Sequence, residues 1–130
     1  MKRTDIIQSL IDKVGAENYL EVGVSAGENF RDIKCKNKVG VDPEPSTPAT
    51  IHTDSDSFFK DNKRTFDVIF IDGLHHADQV YRDINNSLAV LNDKGFIVCH
   101  DMNPQLEEHQ TLPYRCLLYT SDAADEFMGV

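Results

Sequence analysis

Four side chains able to move a proton or hold a cation fall at the ends of two apolar runs. Phe66-Asp67-Val68-Ile69-Phe70-Ile71 leads into Asp72-Gly73-Leu74-His75, and Gly95-Phe96-Ile97-Val98-Cys99 leads into His100-Asp101. An imidazole has a reference pKa near ~6.5, so His75 or His100 can take a proton from a hydroxyl at neutral pH. Asp72 and Asp101, with Asn103 close behind, supply oxygens that can hold Mg²⁺ and lower the pKa of a coordinated hydroxyl. A histidine that merely satisfies a turn is the plain alternative for either one alone. Four such groups at two neighbouring strand ends point instead to a shared cleft.

A second set lies earlier in the chain. Tyr19-Leu20-Glu21-Val22-Gly23-Val24-Ser25-Ala26-Gly27 reads as a short apolar strand running into a glycine-containing turn. Such a turn lets a ligand approach the backbone, and a helix after it offers free N–H groups. Asp42 follows Gly23 by nineteen residues and ends the next apolar run, Val39-Gly40-Val41. A carboxylate there can accept both hydroxyls of a ribose, as adenosine-containing cofactors require. Asp54 and Ser55 stand just after a third short run.

The elements that must position these groups can be read from periodicity. Ile6, Ile7, Leu10, Ile11 and Val14 recur at helical spacing, with Thr4 or Asp5 as N-cap and Gly15 as a stop, which predicts a helix over 4–14. Glu28 to Ile33 forms a short helix. Pro43, Pro45 and Pro48 exclude regular structure from the loop they share. A short strand near Thr50 to Thr53 and a brief helix around Phe58, Phe59 and Lys60 follow. Phe66 to Ile71 is a buried strand, and Val80, Ile84, Leu88 and Leu91 mark the apolar face of a helix over 77–91. Asn92 to Gly95 is a turn before the last strand, Gly95 to Cys99. Phe58 and Phe59 are expected in the core, and Tyr81 and Arg82 on a helix surface. Strands alternating with helices predict a Rossmann-like, doubly wound α/β sheet with about five mostly parallel strands, order 3-2-1-4-5, and ligands at the strand C-terminal ends.

The ordered series resembles the class I S-adenosylmethionine (SAM) dependent methyltransferases over about residues 17 to 103. That family ends its first strand in an acid followed by glycines at alternate positions; here Glu21, Gly23 and Gly27 match and Ser25 replaces the middle glycine. The resemblance implies that Gly23 and Gly27 bring backbone against the methionine portion of SAM, and that Glu21 helps hold its ammonium group. It also implies that Asp42 takes the ribose, that Asp54 and Ser55 lie where an acid or polar residue stands near the adenine, and that Asp72 belongs to the same cofactor site. The strand–Asp72-Gly73-Leu74-His75 run and the His100-Asp101 strand end are similar to a subgroup that includes sugar and other small-molecule O-methyltransferases. His75, His100 and Asp101 are then the catalytic candidates. Metal-dependent catechol-type relatives place asparagine directly after the second aspartate, whereas Met102 intervenes here before Asn103. Acceptor specificity in this fold sits in N-terminal additions and in segments after the fourth and fifth strands.

Two other readings share part of the pattern. A nicotinamide-dependent oxidoreductase has the same strand–glycine–helix turn, but its Gly-x-Gly-x-x-Gly fingerprint meets serine at 25 and glutamate at 28. A SAM-binding module without turnover would have no use for the histidine and aspartate cluster.

Bulk properties narrow the field further. A chain of 130 residues suits one domain, and a formal net charge of −9 leaves no basic stripe for a general nucleic-acid binder. Cys35, Cys99 and Cys116 are odd in number and lack a CxxC pair, which suits a reducing compartment. No signal-like apolar run follows Met1-Lys2-Arg3, and no segment reaches the length of a membrane span. The expected location is the cytoplasm, with a small-molecule acceptor as partner.

The text changes character after Pro113-Tyr114-Arg115. Cys116-Leu117-Leu118-Tyr119-Thr120-Ser121-Asp122-Ala123-Ala124-Asp125-Glu126 resembles a translated read-through of a transposon-based sequencing-library adapter. The expectation is therefore an N-terminal methyltransferase portion over 1–115 and a non-native tail over 116–130 that carries no fold or function. A domain cut there would lose the cover of one sheet edge. Resequencing the source DNA across the Arg115 codon, without a transposon library, is expected to replace the codons from Cys116 onward. Finding Cys-Leu-Leu-Tyr-Thr-Ser encoded there would refute the adapter origin.

Overall fold

A computed structural model describes residues 3–73, 77–101, 115–120 and 127–129. Helix α1 (Arg3–Val14) buries Ile7 and Ile11. It ends as its glycine predicts: Gly15 takes a φ of +64°, Ala16 N–H reaches Ile11 C=O at 2.9 Å and Gly15 N–H reaches Asp12 C=O at 3.4 Å. This pair of bonds is a Schellman turn, and only glycine enters it without a Cβ penalty.

Strands β1 (Asn18–Val22), β2 (Asn37–Val41), β3 (Phe66–Gly73) and β4 (Leu91–Asp101) form a parallel sheet in the order β2-β1-β3-β4. Helices α2 (Glu28–Asp32), α3 (Ser55–Asp61) and α4 (Ala77–Ala89) complete the alternation. One face of the sheet packs Tyr19, Val68, Phe70 and Val98 against α1 and α2 through Ile7, Ile11 and Phe30. The other packs Leu20, Val22, Ile69, Ile71 and Ile97 against Phe58 of α3 and against Val80, Ile84 and Leu88 of α4. Helices on both faces leave the central strands no wet side, which is why β3 reads as a nearly continuous apolar run. Each fully buried Ile or Phe of this run contributes about 1.5–3 kcal/mol.

Three expectations change on contact with the fold. The third predicted strand is reduced to one parallel bridge, Ile51 beside Val41 on the outer side of β2. Its place matches the predicted order, but Thr50 Oγ1 takes the Gly40 N–H at 2.9 Å that a partner strand would need. The turn at 92–95 lies inside β4 as an irregularity: pairing jumps from Phe66–Leu91 to Val68–Phe96, with Lys94 at φ +68°. Gly95 is required there because a Cβ would sit 2.6 Å from Asp67 C=O. The buried side of α4 is also wider than the predicted apolar face, which does pack on the sheet. Asp83 and Ser87 are fully buried, whereas Val80, Ile84 and Leu88 are only half-buried.

Beyond the parallel sheet, β5 (Arg115–Thr120) pairs antiparallel with β4, and β6 (Phe127–Gly129) with β5. These strands occupy the stretch expected to carry no fold. A β-prone run beside an otherwise open edge of β4 is sufficient to produce such pairing. Among the described residues, no helix is long and apolar enough to cross a membrane.

The face carrying α2 is closed by Gly40, where a Cβ would lie 2.8 Å from Val24 Cγ2 and 3.0 Å from the Phe30 ring. Gly40→Ala is therefore expected to overpack this contact and cost about 1–3 kcal/mol in chemical denaturation. Unchanged stability would show that the Val24–Phe30 layer yields freely.

Candidate functional site

The site forms where β1 and β2 end. Gly23, Ser25 and Gly27 all adopt left-handed backbone, with φ of 89°, 52° and 85°. Gly23 N–H donates to Val41 C=O at 2.9 Å, carrying the β1–β2 pairing one residue into the loop. Ser25 N–H donates to Asp42 Oδ2 at 2.9 Å, and Glu44 N–H donates to Asp42 Oδ1 at 2.9 Å. One buried carboxylate thus ties the glycine loop to the proline-rich loop. Gly27, the N-cap of α2, lies so close beneath that second loop that a Cβ would sit 2.1 Å from Pro48 Cγ. The far end of α2 is closed by Lys38, whose Nζ donates to Phe30 C=O at 2.7 Å and Ile33 C=O at 2.9 Å.

A cavity of about 160 Å³ opens at these strand ends, lined by Val22, Gly23, Val41, Pro43, Thr53, Asp54, Ser55 and Gln79. Its walls are apolar from the strands and polar from α3 and α4. Asp54 caps α3 by accepting from Ser57 N–H at 2.7 Å and from Ser57 Oγ at 3.0 Å. Those bonds, the backbone one foremost, hold its carboxyl below the usual range.

Glu21 lies on the opposite face of β1, among the residues packed on α1 and α2. Its Oε1 accepts from Tyr19 OH at 2.6 Å and from Asn29 Nδ2 at 2.7 Å, while Thr4 Oγ1 donates to Asn29 Oδ1 at 2.6 Å. Burial drives its carboxyl up to about 7, against the lowering effect of the two hydrogen bonds; the neighbouring charge of Asp72 adds to the rise and Arg3 opposes it. Burial and the same carboxylate push the Tyr19 hydroxyl well above its ordinary value.

Asp72 is buried at the C-terminal end of β3. The β3–β4 register sets Asp72 opposite His100 and Gly73 opposite Asp101, so the two strand ends are brought together as expected. His75 and Asn103 lie outside the described residues. Among those described, no three His, Cys, Asp or Glu side chains gather as a metal site.

Sequence reasoning passed over Tyr19, Asn29, Gln79 and Asp83. Tyr19 and Glu21 share a strand face by alternation, a signal that was available. Gln79, Asp83 and Ser87 recur at intervals of four along α4, yet polar spacing reads as a wet face unless a partner helix is known.

Glu21 generates a pH dependence. Between the ordinary carboxyl value of 4.5 and about 7, the folded chain keeps a proton that the unfolded chain has lost. Stability from this residue is thus fully present below the lower value and falls as pH rises through the window. Glu21→Gln is expected to flatten that slope, raising stability at about pH 8 relative to the parent by up to about 3 kcal/mol. Parallel thermal-midpoint curves for the two proteins from about pH 5 to pH 8 would contradict the assignment.

Comparison with known proteins agrees with this architecture. The N-methyltransferase NodS from Bradyrhizobium japonicum superposes with a TM-score of 0.62 at 22% identity, over 78% of this chain and 67% of that one. An O-methyltransferase from Bacillus cereus, solved with S-adenosylhomocysteine (SAH), gives 0.62 at 14% identity over 98% and 77%. The O-methyltransferase TomG from Streptomyces achromogenes, solved with SAM, gives 0.63 at 15% identity over 85% and 59%, so the chain spans well under two thirds of that protein. At these identities the likeness is one of fold. No curated protein sequence matches. A family model described as a methyltransferase domain matches residues 25–102, more than half of the chain, from Ser25 within the glycine loop to just past the end of β4. The chain therefore belongs to this methyltransferase-domain family and has the fold of the SAM-dependent methyltransferases.

Proposed function

We propose that this domain binds SAM and serves transfer of its methyl group to a hydroxyl of a small molecule. The carrying observation is the 160 Å³ cavity at the ends of β1 and β2, with the Asp42 carboxylate fixed at the same strand ends. Each Asp42 oxygen accepts one backbone N–H, and a carboxylate has about four lone-pair sites, so one direction per oxygen remains for a vicinal diol. Gly23 gives the cavity a wall without a side chain, as close approach of a ligand requires.

SAM supplies an electrophilic methyl on a sulfonium and needs little activation, so the protein's part is alignment and proton removal. Glu21 and Asp72 would hold the cationic end of the cofactor, Glu21 favouring its charged form once an ammonium lies near. His75 or His100 would take the acceptor proton, with Asp101 orienting it. In a metal-assisted form of the same step Asp72, Asp101 and Asn103 would hold Mg²⁺, which would lower the pKa of the acceptor hydroxyl. Among the described residues Cys35 and Cys99 stand as thiols rather than in a disulfide, in accord with a cytoplasmic setting. Residues 116–130 we assign to adapter sequence, outside the domain.

Calorimetric titration of the full chain is expected to show binding of both SAM and SAH. Asp42→Ala should weaken SAH by about tenfold or more, the cost of losing charge-assisted bonds to two hydroxyls. A chain that binds neither compound would sink the proposal. Equal affinity for parent and Asp42→Ala would move the ribose contact elsewhere.

A further inference from the structure

The cavity wall built by α3 and α4 has a hydrogen-bond polarity that can be worked out proton by proton. Ser55 Oγ donates to Asp83 Oδ1 at 2.6 Å, and Asp83 is fully buried. Gln79 Nε2 donates to Ser55 Oγ at 3.0 Å, to Asp83 Oδ1 at 3.0 Å and to Asp56 Oδ1 at 3.2 Å. Gln79 Oε1 accepts from Arg82, which also pairs with Asp56 at 3.5 Å. The Arg82 contact fixes the amide: its oxygen must face the guanidinium, so both N–H groups face the three acceptors.

A hydroxyl has a single proton, and the carboxylate at 2.6 Å claims it. With one lone pair accepting from Gln79 Nε2, Ser55 can therefore show the cavity only its remaining lone pair. Gln79 has no uncommitted N–H, and Asp54 is an acceptor already held by Ser57. Thr53 is a hydroxyl that can turn either way. Thr53 aside, this wall meets the cavity with acceptors.

We infer that Asp83 is a positioning residue that, by holding the Ser55 proton, makes this wall select a base edge carrying an amino group over one carrying a carbonyl. The inference rests on the cofactor reading above and sharpens it. Adenine offers an exocyclic amine to the wall, whereas its deaminated form, hypoxanthine, would set a carbonyl oxygen against lone pairs. Asp83 never touches the ligand; it acts through Ser55 and Gln79.

The test compares SAH with its deaminated analogue, S-inosylhomocysteine, by calorimetry on the full chain. The parent should prefer SAH by about tenfold or more, the range of one well-made polar contact against one mismatched. Asp83→Ala frees the Ser55 proton and the Gln79 N–H groups, and the preference should fall to within about threefold. Ser55→Ala, at a half-buried position that carries no folding burden comparable to Asp83, should lower it likewise, and Ser55→Thr should retain it. A purely structural role would weaken both ligands alike and leave the ratio unchanged. If the parent binds SAH and both alanine variants keep its ratio, the inference is overturned while the cofactor reading stands. If Asp83→Ala fails to fold, the Ser55 pair decides. If the parent binds neither ligand, the cofactor reading fails and this inference falls with it.

Discussion

The Asp42 carboxylate is the contact on which the ligand end of this domain depends. The glycine loop after β1 contains a non-glycine residue, Ser25, in left-handed backbone. Such a conformation costs about 1–2 kcal/mol and persists only where something holds it. Asp42 does so by accepting the Ser25 N–H, and with its other oxygen it accepts the Glu44 N–H. Two loops that would each be mobile alone become one surface. Gly27 beneath Pro48 completes the contact, because any side chain at 27 would drive the loops apart. A residue suited to meeting a ribose thus also shapes the ground on which the ribose would sit.

Glu21 shows the opposite balance. Placing a carboxylate in the core under α1 is costly, and the Tyr19 and Asn29 hydrogen bonds offset only part of the desolvation. The protein therefore holds a carboxyl raised to about 7 near the C-terminal end of its first strand. That carboxyl joins α1, through Thr4 and Asn29, to the strand carrying the glycine loop.

Part of this was legible in residues alone. Gly15 stops α1 by the turn its type predicts, and the apolar run Phe66 to Ile71 forms the buried β3. Phe58 lies in the core and Tyr81 on the surface, as their surroundings in sequence suggest. The strand order also follows, because short βαβ connections admit few topologies. The strand at 50–53 failed because Thr50 competes through its own hydroxyl for the Gly40 N–H, a contact that depends on where β2 lies. The predicted face of α4 packs on the sheet, but apolar periodicity gave no sign of the polar ridge buried beside it. Asp83 of that ridge is bonded to Ser55 across the gap to α3 and to Gln79 one turn back on α4 itself.

By itself, the sequence determined the alternation of strands and helices and the strand ends that carry Glu21, Asp42 and Asp72. Those are consequences of local propensity and spacing, which act within a few residues and survive in one dimension. Only the tertiary structure decided which of these groups share a space. Asp54 joins Gly23 at the cavity, Glu21 turns to the other face of the sheet, and Asp42 is drawn onto Ser25. The reason is physical: a proton on Ser55 or Glu21 is assigned by neighbours that are remote in the chain or hidden by burial. Burial and donor–acceptor pairing of that kind exist only once the chain has closed on itself.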